Sequence, residues 1–202
     1  MGNREDLLAG AQRCLFDKGY DRTTVRDIAT AAGVSMAAIG YHFGTKEALL
    51  GEALAQATRE WGDDLAGAVA NSPAAADHGA PRFEARWDAV IDSIAAHHGL
   101  WSATFDALAR PDIRRRLADN LGEARTGLAH LLEDIDEPDT AVSGRATAPS
   151  SDADAVGALC QVLLTGLAAH QLIDAQSTPR GRDLARAIRF LAARIDSENE
   201  PE

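Results

Sequence analysis

The chain has 202 residues, 46% of them apolar and 25% charged, with a formal net charge of −11. That size and apolar content allow one large or two small globular domains with a real core, and the acidity excludes indiscriminate nucleic-acid binding through bulk charge. The charge is uneven, because residues 1–60 carry seven Lys/Arg against eight Asp/Glu, whereas 61–202 carry thirteen against twenty-three.

The opening Met1-Gly2-Asn3-Arg4-Glu5-Asp6 is charged and no signal-peptide core follows it. No apolar run approaches the roughly 20 residues of a membrane span, so a cytoplasmic protein with no membrane partner is expected. Cys14 and Cys160 are too few and too distant for a disulfide framework or a zinc site, and they read as buried free thiols.

Asn3 can cap a first helix with Asp6 three residues on, and Leu7, Leu8, Ala11, Cys14, Leu15 and Phe16 lie on one broad face. Gly19 breaks that helix, and Tyr20 beside it can pack back over the end. Thr24 followed by Asp27 makes a capping box for a second helix, whose apolar face is Val25, Ile28, Ala29 and Ala32, with Arg26 pointing away. Gly33 can take φ > 0 and turn the chain. Ser35 is a suitable N-cap for a third helix, which carries Ile39 and Phe43 inward, with Val34 buried ahead of it. Helices this short cannot stand alone, so packing must hold them. The result is a helix-turn-helix over 24–43.

A fourth helix runs from Lys46 past Trp61, with Leu49, Leu50, Ala53 and Leu54 as its stripe. Turn chemistry at Asn71-Ser72-Pro73 and at Asp77 to Pro81 marks a loop region. Helical spacing resumes with Phe83, Trp87, Val90, Ile91 and Ile94, stops near His97-His98-Gly99, restarts at Leu100-Trp101 and ends at Pro111. One helix is then expected through Ile113, Leu117, Leu121, Leu128, Leu131 and Leu132. Residues 134–153 are rich in Asp, Pro, Ser, Thr, Gly and Ala and read as a mobile loop. The most apolar helix covers 155–175, and Pro179 opens a last helix carrying Leu184, Ala187, Ile188, Leu191 and Ile195, with a fraying acidic end. No alternating segment bounded by turns occurs, so the fold class is all-α.

The run of Gly19-Tyr20, Thr23-Thr24-Val25, Ile28-Ala29, Ala32-Gly33-Val34-Ser35, Ile39, Tyr41-His42-Phe43 and Lys46 to Leu50 resembles the N-terminal domain of TetR-type bacterial transcriptional regulators. The resemblance covers about the first fifty-five residues. It implies a helix-turn-helix DNA-binding domain over 1–46, continuing into a linking helix 46–61, and an effector-binding and dimerisation domain over 47–202. It also implies base contacts from Arg26, Ser35, Met36 and Ala37, and phosphate contacts from Thr24, Tyr41, His42 and Lys46. Ile28, Val34, Ile39 and Phe43 would be core. Many members carry Tyr directly after the Ile/Leu of the recognition helix, whereas here Gly40 stands there and the aromatic is Tyr41.

The implied partners are a double-stranded DNA operator, a second copy of the chain and a small-molecule effector. Trp87, His97, Trp101, Phe105, Gln161, Thr165 and His170 are aromatic or polar residues at otherwise apolar positions, as a pocket wall requires. Leu159, Leu163, Leu167, Leu184, Ile188 and Leu191 could supply an isologous dimer contact. His97-His98 lacks acidic or thiol partners at helical spacing and reads as a helix-end pair, and Arg114-Arg115-Arg116 reads as a solvated face. Gly-rich phosphate loops are absent and no Ser/His/Asp or Cys/His arrangement has motif context, so no catalytic residue, cofactor or metal is expected. The expected function is a repressor released from a palindromic operator by an effector. A regulator whose body is a protein-interaction module is the alternative, and an α-helical enzyme a remote one.

Overall fold

The computed structural model describes residues 3–72, 78–119, 121–133 and 151–198, and these form ten α-helices with no strand among them. The chain is all-α, as expected. It divides into two compact units, one of residues 1–64 with 97–122 and the other of 65–96 with 123–202.

The first unit is built on α1 (Asn3–Lys18), α2 (Val25–Ala32), α3 (Met36–Phe43), the first part of α4 (Lys46–Ala70), α6 (His98–Ala107) and α7 (Pro111–Asp119). Leu7, Ala11 and Leu15 of α1, Ile28 of α2 and Leu49, Leu50, Ala53 and Leu54 of α4 are buried, which is the core that the helical spacing requires. Cys14 is a buried free thiol, and burial pushes its pKa up. Tyr20 is buried at the end of α1, where the Arg110 guanidinium carbon lies 4.3 Å from its ring centroid and Arg110 also pairs with Asp21. The Thr23 hydroxyl is wholly buried and faces the Cys14 and Gly19 carbonyls at 3.1 and 2.7 Å. Nothing in the hydropathy pattern marked Thr23 or Arg110 as part of this packing.

Several boundaries differ from expectation. The helix expected from Leu100 to Pro111 ends at Ala107, and Pro111 instead opens α7, where its missing N–H costs nothing. The helix expected through Ile113 and Leu132 is described as α7 up to Asp119 and α8 (Leu121–Glu133), and residue 120 lies outside the described residues. Phe16, Val34 and Phe43, expected to be inward, are not fully buried.

The second unit holds α5 (Ala80–Ala96), α8, α9 (Ser151–Ile173), the end of α4 and α10 (Gly181–Glu198). Trp87, Val90, Ile91 and Ile94 of α5 form its centre with Leu132, Cys160, Leu164, Leu167 and Ala168. Buried Arg86 donates to the Leu132 carbonyl at 2.8 Å, satisfying one C-terminal acceptor of α8. At the start of α10 a Cβ on Gly181 would stand 2.1 Å from the Glu84 carbonyl oxygen, so only glycine fits. Arg180 beside it reaches Asp88 and Asp92 on α5 at 2.9 and 2.8 Å, and those carboxylates, Asp92 foremost, push its pKa up.

The expected loop 134–153 lies outside the described residues up to 150, and α9 begins at Ser151, earlier than 155. By length and composition alone, Asp152–Ile173 could cross a bilayer, contrary to the expectation that no run was long enough. One side of that helix, Cys160, Leu164, Leu167 and Ala168, is packed in the core of its unit.

Candidate nucleic-acid interface

Local chemistry fixes α2 at both ends. The Asp27 N–H donates to the Thr24 hydroxyl at 3.2 Å, the Thr24 N–H donates to the Asp27 carboxylate at 3.0 Å, and the Thr24 hydroxyl donates to the same carboxylate at 2.6 Å. Lys18 adds an ion pair to Asp27 at 2.6 Å. These contacts, Lys18 first, hold the Asp27 carboxyl well below the usual carboxylate range, and Asp27 in turn raises the Lys18 pKa. At the other end Gly33 sits at φ 68°, ψ 27°, so that its N–H reaches the Thr30 carbonyl and the Val34 N–H reaches that of Ala29. This is the turn that sets α3 against α2.

The third helix is held differently. Ser35 has extended N-cap dihedrals but its side chain makes no capping bond, contrary to the role expected of it. Ile39 is buried, and the Arg4 guanidinium carbon lies 5.1 Å from the Phe43 ring centroid while Arg4 pairs with Glu52 on α4. The other side of α3 faces outward through Met36, Ala37, Gly40 and Tyr41, with Met36 52% and Tyr41 86% exposed. His42 is half-buried against Tyr41, the rings meeting edge to face at 4.9 Å.

Arg26 is exposed on α2 and forms no ion pair among the described residues. Lys46 donates one hydrogen bond to the Thr23 carbonyl at 3.1 Å and has Glu47 at 3.8 Å, which anchors its stem and leaves other ammonium hydrogens available. Thr24 is exposed, yet its hydroxyl is committed to Asp27. The eight residues expected at DNA therefore all lie on α2, α3, their flanking caps or the start of α4.

The residues expected to line a pocket fall into two groups. In the first unit, His97 stands at the N-cap position of α6 without a side-chain capping bond and lies 3.8 Å from Asp64, while buried Trp101 meets Trp61 edge to face at 5.0 Å and Phe105 at 6.4 Å. In the second unit, Trp87 is buried with Phe83 at 6.1 Å, Gln161 is half-buried, and Thr165 and His170 are exposed. The Thr165 hydroxyl donates back to the Gln161 carbonyl at 2.9 Å. The indole nitrogens of Trp87 and Trp101 are both buried without a hydrogen-bond partner among the described residues.

Of the residues expected at a dimer contact, Leu159, Ile188 and Leu191 are exposed, Leu163 and Leu184 are half-buried, and Leu167 belongs to the core of its own unit. Val162, Ile173, Phe190 and Ile195 were not singled out and are more than half exposed. The signal for three of them was present in the sequence. Positions 159, 162 and 173 share one side of α9, and 188, 191 and 195 share one side of α10.

Residues 7–53 match the family model described as bacterial regulatory proteins, tetR family. Over 49 residues, 24% of this chain and 26% of the relative, the sequence is 45% identical to the HTH-type transcriptional repressor AcnR of Corynebacterium efficiens. It is 34% identical to the HTH-type transcriptional repressor KstR2 of Rhodococcus jostii over 97 residues, 48% of this chain and 46% of that one. The chain thus spans between a quarter and a half of the length of these curated relatives. A TetR transcription regulator from Haloarcula marismortui, 18% identical, superposes with a TM-score of 0.58 over 96% of this chain and 97% of its own, which is a likeness of fold. The capped helix-turn-helix lies inside the segment, residues 7–53, that matches the tetR family of bacterial regulatory proteins, and the chain as a whole shares the fold of a TetR regulator.

Proposed function

We propose that the chain is a cytoplasmic homodimeric repressor that grips a two-fold symmetric operator with its helix-turn-helix and releases it when a small molecule occupies the helical body. The observation that carries the reading is the outward face of α3, together with exposed Arg26, which forms no ion pair among the described residues, on a capped α2. In such motifs the first residues of the second helix reach base edges while flanking groups hold phosphates. Arg26, Ser35, Met36 and Ala37 are the base-facing set, and Arg26 suits a bidentate guanine contact. Tyr41, His42 and Lys46 take phosphates, and Thr24 contributes from the exposed start of α2. The near-neutral first sixty residues leave little non-specific attraction, so specificity rests on these contacts.

Residues 1–46 serve as the reading head in this scheme, α4 as the link, and 47–202 as the effector-binding and dimerisation part. The sign of regulation is supported by the names of the relatives matched in the head, both repressors. The indole N–H groups of Trp101 in the first unit and of Trp87 in the second have no partner among the described residues, and each is a donor of the kind that orients a ligand. Leu159, Val162 and Ile173 with Ile188, Leu191 and Ile195 offer the apolar surface of an isologous contact, and two heads must stand about 34–36 Å apart, or a multiple of it, to meet successive half-sites. The effector acts only through its differential affinity for the bound and released poses. A monomer at micromolar concentration in sedimentation would overturn the dimer.

The contact assignment is tested on DNA selected from a random pool. Arg26→Ala is expected to relax preference at one base pair of each half-site, costing about 1–3 kcal/mol there. Lys46→Ala is expected to weaken all sequences alike and to reduce the salt slope by about one. Equal changes of sequence preference in the two variants would refute the assignment.

A further inference from the structure

Gly40 occupies the interior of α3, where glycine weakens a helix relative to alanine. Nothing inside the chain accounts for it. Its φ is not positive, it is exposed, and a Cβ built on it would meet no atom within 4 Å. Gly33 and Gly44, by contrast, end helices at φ 68° and 76°. A glycine that neither backbone conformation nor packing requires answers to something that approaches from outside.

The surroundings say what approaches. The outward face of α3 is Met36, Ala37, Gly40 and Tyr41, with Ser35 ahead of it. Apart from the Ser35 hydroxyl at its start and the Tyr41 hydroxyl at the rim, that face offers no polar side-chain group. Base pairs in the major groove are distinguished by hydrogen-bond donors and acceptors, with one apolar exception, the 5-methyl group of thymine. The methyl, thioether and bare backbone between the Ser35 and Tyr41 hydroxyls are suited to that feature. Arg26 on α2, exposed and with no ion pair among the described residues, supplies the polar base contact of the proposed set.

We propose that Gly40 is the point of closest approach to the major groove and that Met36, Ala37 and the bare backbone at Gly40 form a seat for thymine methyl groups, so that each half-site carries a thymine-containing core beside the base pair read by Arg26. This rests on the reading of the helix-turn-helix as a DNA-binding head. It makes Gly40 a specificity-determining residue that is retained against the preference of the helix. The α3 backbone then lies close enough to the bases that an added Cβ meets the methyl group or lifts the helix away.

The test uses the full-length protein and the operator recovered from a random pool. Replacing each thymine of the half-site in turn by uracil removes one methyl and leaves Watson–Crick pairing intact. Affinity is expected to fall about fourfold at the core positions, the ratio that corresponds to about 0.8 kcal/mol for one buried methyl-sized group, and to stay unchanged at flanking positions. Gly40→Ala is expected to raise the melting temperature, to weaken the selected operator at least tenfold and to leave random-sequence DNA unaffected. In Gly40→Ala the penalty for uracil at the core should shrink, since the two changes remove the same contact. A selected operator bound equally well with uracil throughout, or a Gly40→Ala protein that binds it as the parent does, overturns the methyl seat while the DNA-binding reading stands. Recovery of no preferred sequence overturns both.

Discussion

α2 and α3 are both eight residues long and adjacent in the chain, yet they are held by opposite means. Both ends of α2 are capped within the chain, by Thr24, Asp27, Lys18 and the left-handed Gly33. The start of α3 is open: Ser35 makes no cap, the helix is anchored by Ile39 and by Arg4 over Phe43, and its far side is bare. An eight-residue helix is unstable by itself, so each needs an external source of order. α2 takes it from capping as well as from buried Ile28, whereas α3 takes it from Ile39 and the Arg4–Phe43 contact, and in the proposed reading its open start is left to DNA.

The largest effect should come from that single anchor. Ile39→Ala removes a side chain only 3% exposed and is expected to cost about 2–5 kcal/mol of stability, with complete loss of operator binding. Ile28→Ala, at a wholly buried site in α2, should cost a similar amount. The variants are to be separated by hydrogen exchange. Loss at Ile39 should expose the amides of α3 first and leave the capped α2 protected, and simultaneous exchange of both helices would show that they order as one unit.

A smaller effect distinguishes the two N-caps. Thr24→Ala removes a complete capping box and should lower stability by about 1 kcal/mol. Ser35→Ala removes no capping bond and should leave the melting temperature unchanged while weakening the operator complex. If Ser35→Ala destabilises the free protein as much as Thr24→Ala does, the open start of α3 is not a feature of the molecule in solution.

This pair of helices was legible because its rules are local. A capping residue, a carboxylate three residues on, an apolar face of period 3.6 and a left-handed glycine all act within a few residues, and each stands where the sequence placed it. Legibility failed where a residue has two local meanings. Ser35 looks like a cap from its neighbours, and only the geometry shows that its side chain makes no capping bond. Pro111 serves equally to end one helix or to begin the next. In the body the apolar residues of α9 lie on both its packed and its bare sides, so hydropathy could not say that Leu167 turns inward while Leu159 and Val162 remain exposed. Arg110 over Tyr20 is a contact between residues ninety positions apart, which no periodicity encodes.

The smallest expected effect concerns the charge that completes the α2 cap. Asp27 has its pKa lowered in the folded protein, chiefly by the hydrogen bond from Lys18 and then by those from Thr24. A carboxyl with a depressed folded pKa contributes stability that is fully present above its unfolded value, about 3.9, and lost as pH falls from there toward the folded value. Lys18 is raised, so its share is present below its unfolded value, about 10.4, and lost as pH rises through the folded one. The pair therefore stabilises across the range between, and only the acid limb is accessible without general alkaline denaturation. Both groups are solvent-exposed enough for screening to keep the effect modest. Melting temperatures of the parent and Asp27→Asn should differ at pH 6 and begin to converge as pH falls below about 4, because protonation takes from the parent what the substitution has already removed. A gap that stays constant down to pH 3 would mean that α2 draws nothing from the ionised cap, and the contrast with α3 would then rest on the Thr24 hydroxyl and Gly33 alone.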